Sequence, residues 1–93
     1  MLRYFFDVYD ERFVSQDIDG VLCADQRTVG TTAHRILAEI AADEPLSAGQ
    51  AKLYASVRDE AGYVVYTAAL SFTGSWLQVP MATPATQLEL SMA

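Results

Sequence analysis

The sequence has one cysteine, Cys23, and one histidine, His34. A lone cysteine cannot close a disulfide within the chain, and it cannot build a cysteine-based zinc site, so neither staple holds the fold. Positive charge is scarce: six Lys and Arg stand against twelve Asp and Glu, for a formal net charge of −6. Gripping a phosphate backbone takes a broad cationic surface, so nucleic acid is not an expected partner. No stretch approaches the roughly 20 consecutive apolar residues that span a bilayer. The first residues also lack the basic, apolar, small-residue order of a secretory leader. No membrane partner is expected, and the expected setting is a reducing cytoplasm. Internal repeats are missing, which excludes a solenoid.

What is present is apolar enough to fold. Hydrophobic residues make up 52% of the 93 positions and the mean hydropathy is +0.14, on the globular side of the disorder boundary. This length supports one domain and one core. A core so small supplies only about 3 to 5 kcal/mol, so self-association is an expected way to complete it.

Leu2 to Tyr9 is rich in aromatic and β-branched residues and reads as a strand. Alternation puts Leu2, Tyr4, Phe6 and Val8 on the core face and Arg3, Phe5, Asp7 and Tyr9 on the other. After the polar break Asp10-Glu11, a second arm over Arg12 to Gln16 is interrupted by an Asp17-Ile18-Asp19-Gly20 turn and resumes at Val21 to Cys23. Asp25 is placed to cap a helix in which Val29, Ala33, Ile36, Leu37, Ile40 and Ala41 form one apolar stripe. Gly30 weakens its first turns, and Pro45 with the preceding Asp43-Glu44 marks its end. A connector from Ser47 to Gln50 leads to a strand over Leu53 to Arg58, a four-residue turn at Asp59 to Gly62, and a strand over Tyr63 to Phe72. The expected pairing sets Arg58 opposite Tyr63, Val57 opposite Val64 and Ala55 opposite Tyr66. Leu53, Ala55, Val57, Val64, Tyr66, Leu70 and Phe72 then share the core face. The fold class is therefore α+β, in the order β-β-α-β-β, a small and largely antiparallel sheet with one amphipathic helix on one face. Residues 1–73 form the expected domain. Residues 74–93, broken by Pro80 and Pro84, form a tail in which Gln87 to Met92 alternates as a short extra strand, on this chain or a neighbour.

Two motifs attract functional readings. Asp17-Ile18-Asp19-Gly20-Val21-Leu22 resembles the first motif of haloacid-dehalogenase phosphatases, but those enzymes need a full parallel α/β core that this chain is too short to supply. Ser15, Asp17, Asp19 and Gly20 also occupy positions one, three, five and six of a calcium loop. Position twelve is Gln26 where a bidentate Glu is needed, and no helix precedes the loop. Both comparisons reduce to a turn. Asp7, Asp59 and Glu60 lie on separate elements, so no carboxylate pair is expected to converge for acid–base work. No catalytic, cofactor-binding or metal-ligating residue is assigned, and no cofactor is expected.

Two segments, Arg3-Tyr4-Phe5-Phe6-Asp7 and Val57-Arg58-Asp59-Glu60-Ala61-Gly62, resemble a family of short uncharacterised bacterial proteins, a domain of unknown function. Its members open with an R-Y-F-F-D or R-Y-F-F-H strand, carry an acidic D-x-x-G turn before a helix, and end on a V-R-D-E-x-G hairpin. Asp17 to Gly20 matches the middle element, and the resemblance spans about residues 3 to 72. The chain departs from it at Thr28-Val29-Gly30-Thr31-Thr32, which replaces an acidic, alanine-rich run, and in the tail after Gly74. The resemblance implies the fold and a bacterial cytoplasmic setting, and it carries over no catalytic residue.

A single helix covers one face of a sheet. Phe5, Tyr9, Tyr54, Tyr63 and Val65 then remain on the other, more apolar area than a monomer usually shows to water unless the tail and Trp76 cover it. The expected function is a non-catalytic protein-interaction or regulatory module that self-associates as a homodimer through Phe5, Tyr9, Tyr54, Tyr63, Val65 and Trp76. One alternative is a small-molecule-binding protein or minimal enzyme with a pocket near His34 and Cys23. Another is an acidic mimic or antidote that binds a basic partner.

Overall fold

The computed structural model describes residues 1–43 and 49–81. Within them are five strands and one helix: β1 Leu2–Tyr9, β2 Val14–Ser15, β3 Val21–Cys23, α1 Gln26–Asp43, β4 Gln50–Arg58 and β5 Val64–Thr73. Every pairing is antiparallel and the sheet runs β2-β1-β4-β5, with β3 also on β1. The chain is an α+β fold. The second arm of the first hairpin is split in two: β2 pairs with the end of β1 (Val8 opposite Ser15), and β3 pairs with its beginning (Tyr4 opposite Val21). The Asp17 to Gly20 loop bulges out between them. The expected β2 over Arg12 to Gln16 shrinks to Val14–Ser15 because Asp10 holds the turn open, its carboxylate accepting the N–H groups of Arg12 (2.7 Å) and Phe13 (2.8 Å).

The helix starts where a cap is available. Asp25 Oδ1 accepts the backbone N–H of Thr28 at 2.8 Å and its hydroxyl at 2.7 Å, satisfying a donor that the first turn leaves without a partner. The apolar stripe then faces the sheet. Val29, Ala33 and Leu37 are buried and Ile36, Ile40 and Ala41 pack partly buried beside them. Thr32 is buried as well, a position the apolar periodicity passes over. Gly30 leaves room for β5: a Cβ there would stand 3.4 Å from the Tyr66 hydroxyl. Of the expected helix stop, Asp43 is the last residue of α1, while Glu44, Pro45 and the start of the connector at Ser47 lie outside the described residues. Gln50, expected in the connector, already belongs to β4.

The core lies between α1 and one face of the sheet, in two clusters. Phe6, Cys23, Val29, Ala33 and Val57 form one, and Val8, Leu37, Leu53 and Ala55 the other; Ile36 and Ala68 touch both. Both strands alternate as expected, but the β4–β5 register does not follow the expected pairing. Arg58 is opposite Val64, Val57 opposite Tyr66 and Ala55 opposite Ala68. Two single-residue steps cause this. The hairpin closes through Asp59, whose N–H donates to the Tyr63 carbonyl at 2.9 Å, so the loop is Glu60 to Gly62, with Gly62 at φ 92°. A bulge between Val57 and Arg58 then takes up one further residue of β5. Two steps restore the original parity, so Ala68 and Leu70 still pack against the core. Val64, expected inside, is 57% exposed because the bulge sets it opposite Arg58 on the face away from α1, and Phe72, also expected inside and near the far end of β5, is 51% exposed.

After β5 the chain turns at Gly74, whose N–H donates to the Gly49 carbonyl at 2.8 Å. Residues 75–81 carry no helix or strand and are exposed, and the alternating segment Gln87 to Met92 lies outside the described residues. Two substitutions test this packing by urea denaturation. Leu37→Ala, at a buried position under both sheet strands of its cluster, is expected to cost about 2–4 kcal/mol. Gly30→Ala is expected to add about 0.5–1 kcal/mol by removing backbone entropy from the unfolded chain without a clash.

Candidate functional site: the uncovered sheet face

The face of the sheet opposite α1 carries Arg3, Phe5, Asp7 and Tyr9 from β1 and Lys52, Tyr54, Ser56 and Arg58 from β4. Pairing sets Phe5 opposite Arg58, Asp7 opposite Ser56 and Tyr9 opposite Tyr54. A polar hub sits at one end of this face and an aromatic pair at the other.

The hub is built on Asp7 and Arg58. Arg58 grips the Asp7 carboxylate with two donors, Nε to Oδ2 at 2.6 Å and Nη2 to Oδ1 at 3.1 Å, and both side chains are mostly sheltered. The same Nη2 donates to the Asp17 carbonyl at 3.2 Å, and the Asp17 N–H donates to Asp7 Oδ1 at 3.0 Å. The guanidinium lies over the Phe5 ring, 5.0 Å from its centroid, within cation–π range. The Arg58 hydrogen bond holds the Asp7 carboxyl below its ordinary value, overcoming the opposing effect of burial.

Asp17 completes the loop that divides β2 from β3. Its Oδ2 accepts the Phe6 N–H and its Oδ1 accepts the Gly20 N–H, both at 3.0 Å. The carboxylate thus occupies the outer edge of β1 where a strand residue would otherwise pair. Gly20 has φ 75°, and a Cβ there would stand 2.8 Å from Arg3 Cγ and 3.0 Å from the Tyr4 carbonyl, so this turn admits only glycine without displacement. Arg3 spans the loop, donating from Nη1 to the Asp19 carbonyl at 2.8 Å, while its backbone N–H donates to Glu60 Oε1 at 3.2 Å. Both Asp17 carboxylate oxygens are therefore engaged by main-chain amides, with a guanidinium beside them. That chemistry folds a loop. Among the described residues no group of three or more His, Cys, Asp and Glu side chains converges as a metal site.

At the other end, the Tyr9 and Tyr54 rings stack with centroids 5.3 Å apart and planes 18° from parallel. Phe5, Tyr9 and Tyr54 thus share one face of the sheet, with Asp7 and Ser56 in the row between Phe5 and the two tyrosines. Tyr63, 71% exposed, and Val65, 49% exposed, stand at the β4–β5 hairpin end. Trp76 is fully exposed in the segment after β5 and covers nothing, so among the described residues the tail does not shield this face. Cys23 and His34 occupy different environments: the thiol is sealed in the core with Phe6, Val29, Ala33 and Val57, and His34 is exposed on α1. The hub was not read from the sequence, where Asp7 appears only as one of several scattered carboxylates. Its signal was an acid and a base of opposite sign on the same alternation face of two strands.

Because the native Asp7 carboxyl is depressed, its contribution to stability is fully present above the unfolded value near 3.8 and is lost as pH falls through the lower native value. Asp7→Asn is expected to cost about 1.5–3 kcal/mol at pH 7. Its stability should also fall less steeply than that of the natural chain between pH 4 and 2, as read by urea titrations across pH.

A family model matches residues 3–71, a span that contains all of β1 but Leu2, then β2, β3, α1 and β4, and β5 up to Ser71. No curated protein and no solved structure matches the chain. With the match covering most of its length, including every residue of the Asp7, Arg58 and Asp17 hub, the chain belongs to the family described as a domain of unknown function, DUF6894.

Proposed function

We propose that this domain is a non-catalytic module that acts through protein association, its own self-association included, with the uncovered sheet face as the contact surface. The observation that supports this reading most directly is the alignment of Phe5, Tyr9 and Tyr54 on one sheet face, each ring already held by a neighbour. Rings fixed in this way lose little side-chain freedom when a partner covers them, and aromatic residues are enriched at the centres of protein interfaces. Tyr63 and Val65 are exposed as well, at the hairpin end of the sheet. The acidic balance sits mostly elsewhere: on β1 and β4 this face pairs its one acid, Asp7, with Arg58. Its chemistry suits an apolar partner surface better than a basic ligand.

Sedimentation equilibrium on the full chain from micromolar to millimolar concentration tests the proposal. The natural chain is expected to associate beyond a monomer. Tyr9→Ser with Tyr54→Ser should raise the half-association concentration by on the order of tenfold or more, equivalent to about 1.4 kcal/mol. A natural chain that stays monomeric at millimolar concentration would overturn the reading.

A further inference from the structure

The two edges of the sheet are treated differently. On the β2/β3 side, the edge is cut into strands of two and three residues, the Asp17 loop bulges between them, and Asp17 and Arg3 occupy the gap. Short strands, a bulge and charge are the devices by which proteins keep an edge from pairing with another chain. At the opposite edge, β5 runs for ten residues, Val-Val-Tyr-Thr-Ala-Ala-Leu-Ser-Phe-Thr, without Pro, without Gly and without a charged residue. Among the described residues no strand pairs with its outer side. A run of this length spans about 33 Å and, fully paired, would make on the order of ten further backbone hydrogen bonds.

We propose that the outer edge of β5 pairs antiparallel with β5 of a second copy of this chain, joining two sheets into one continuous sheet. This rests on the reading that the domain self-associates, and it adds the β5 edge to the sheet face as a second surface through which copies of the chain meet. Charge selects the occupant. The chain carries −6, yet no charged residue lies between Glu60 and Glu89, so β5 and its flanks are the one long stretch where two acidic copies can meet without acid facing acid. A basic partner would find its complement at the other edge and on the loops. The strand is also self-complementary. A two-fold axis perpendicular to the sheet near Ala68 and Ala69 sets small residues against small at the centre. It sets the half-exposed Tyr66 and Phe72 of one copy near those of its partner on the helix side. These rings are exposed at this edge because one helix does not extend past it, and a second copy, with its own helix, supplies the missing cover. The same axis keeps the two uncovered faces on one side, doubling the surface that carries Phe5, Tyr9 and Tyr54.

Three measurements on the full chain test this. Thr67, Ala69 and Ser71 are exposed and lie on the face away from α1. Introduced singly, Thr67→Cys, Ala69→Cys and Ser71→Cys place a thiol along the edge, and the buried Cys23 can stay in place. Under mild oxidation, the one nearest the two-fold axis should give a covalent dimer on the order of tenfold faster than Ser15→Cys at the opposite edge, because a disulfide needs Cα atoms within about 7 Å. Thr67→Lys with Ala69→Lys, which restores the charge that edges normally carry, should raise the half-association concentration by on the order of tenfold or more while the circular dichroism spectrum stays native. In the natural chain, hydrogen exchange at the outward amides of β5 should slow as concentration rises.

Association that survives the lysine pair but is lost in Tyr9→Ser with Tyr54→Ser would overturn the edge pairing and leave the face reading intact. A monomer at millimolar concentration would overturn both. Slow exchange along β5 in a chain that sedimentation shows to be monomeric would mean that the chain's own segment Gln87 to Met92 covers the edge, and would also overturn it.

Discussion

The fold depends on the pairing of Asp7 with Arg58. These residues are 51 positions apart and belong to the first and second halves of the chain, and their bidentate contact locks β1 to β4, the two central strands. An exposed ion pair contributes little, but this one is sheltered and its members have further work. Arg58 also holds the Asp17 carbonyl and covers Phe5, and Asp7 also accepts the Asp17 amide. The loop that carries Asp17 then ties itself to β1 through the Phe6 amide. Removing either charge would release one strand contact and one loop at once, in a domain whose core is too small to absorb much loss.

This explains why the three segments that resembled a family at the level of sequence are the ones that meet in space. The opening strand supplies Arg3 and Asp7, the acidic turn supplies Asp17 and Gly20, and the hairpin supplies Arg58 and Glu60. A polar hub needs specific donors and acceptors at fixed positions, whereas the core accepts many apolar residues of suitable volume. The hub is a structural device, and every residue of it lies within the matched span, residues 3–71.

Local rules were enough for the elements that obey them. Alternation identified Phe6 and Val8 as core, the 3.6-residue stripe identified Val29, Ala33 and Leu37, and Asp25 was recognisable as a cap because its partner is three residues away. The β4–β5 register was not legible, since a bulge at Val57 and Arg58 depends on how two strands twist against each other and leaves no mark in either one. Thr32 was missed because burial of a helix position follows geometry even where the residue is polar. Of the surface residues, Phe5, Tyr9 and Tyr54 were placed together by alternation alone. Trp76 was grouped with them on hydrophobicity, and its position is fixed by a segment with no periodicity to read.

A sheet covered by one helix faces a problem of area that composition cannot solve. α1 shields the middle of β4 and β5 and part of β1, which leaves one face bare and the far strand only half covered. Adding charge would make such surfaces soluble, and the chain does so on its loops, at the broken edge and at the hub. It adds none along β5, where Lys or Glu at Thr67, Ala69 or Ser71 would meet no steric obstacle because those positions are exposed. A strand that could carry charge without cost to the monomer, in a chain with twelve acids to place, is free of charge over its whole length. Solubility of the isolated monomer does not account for that pattern. The pairing proposed for this edge, with a second copy of the chain, would account for it.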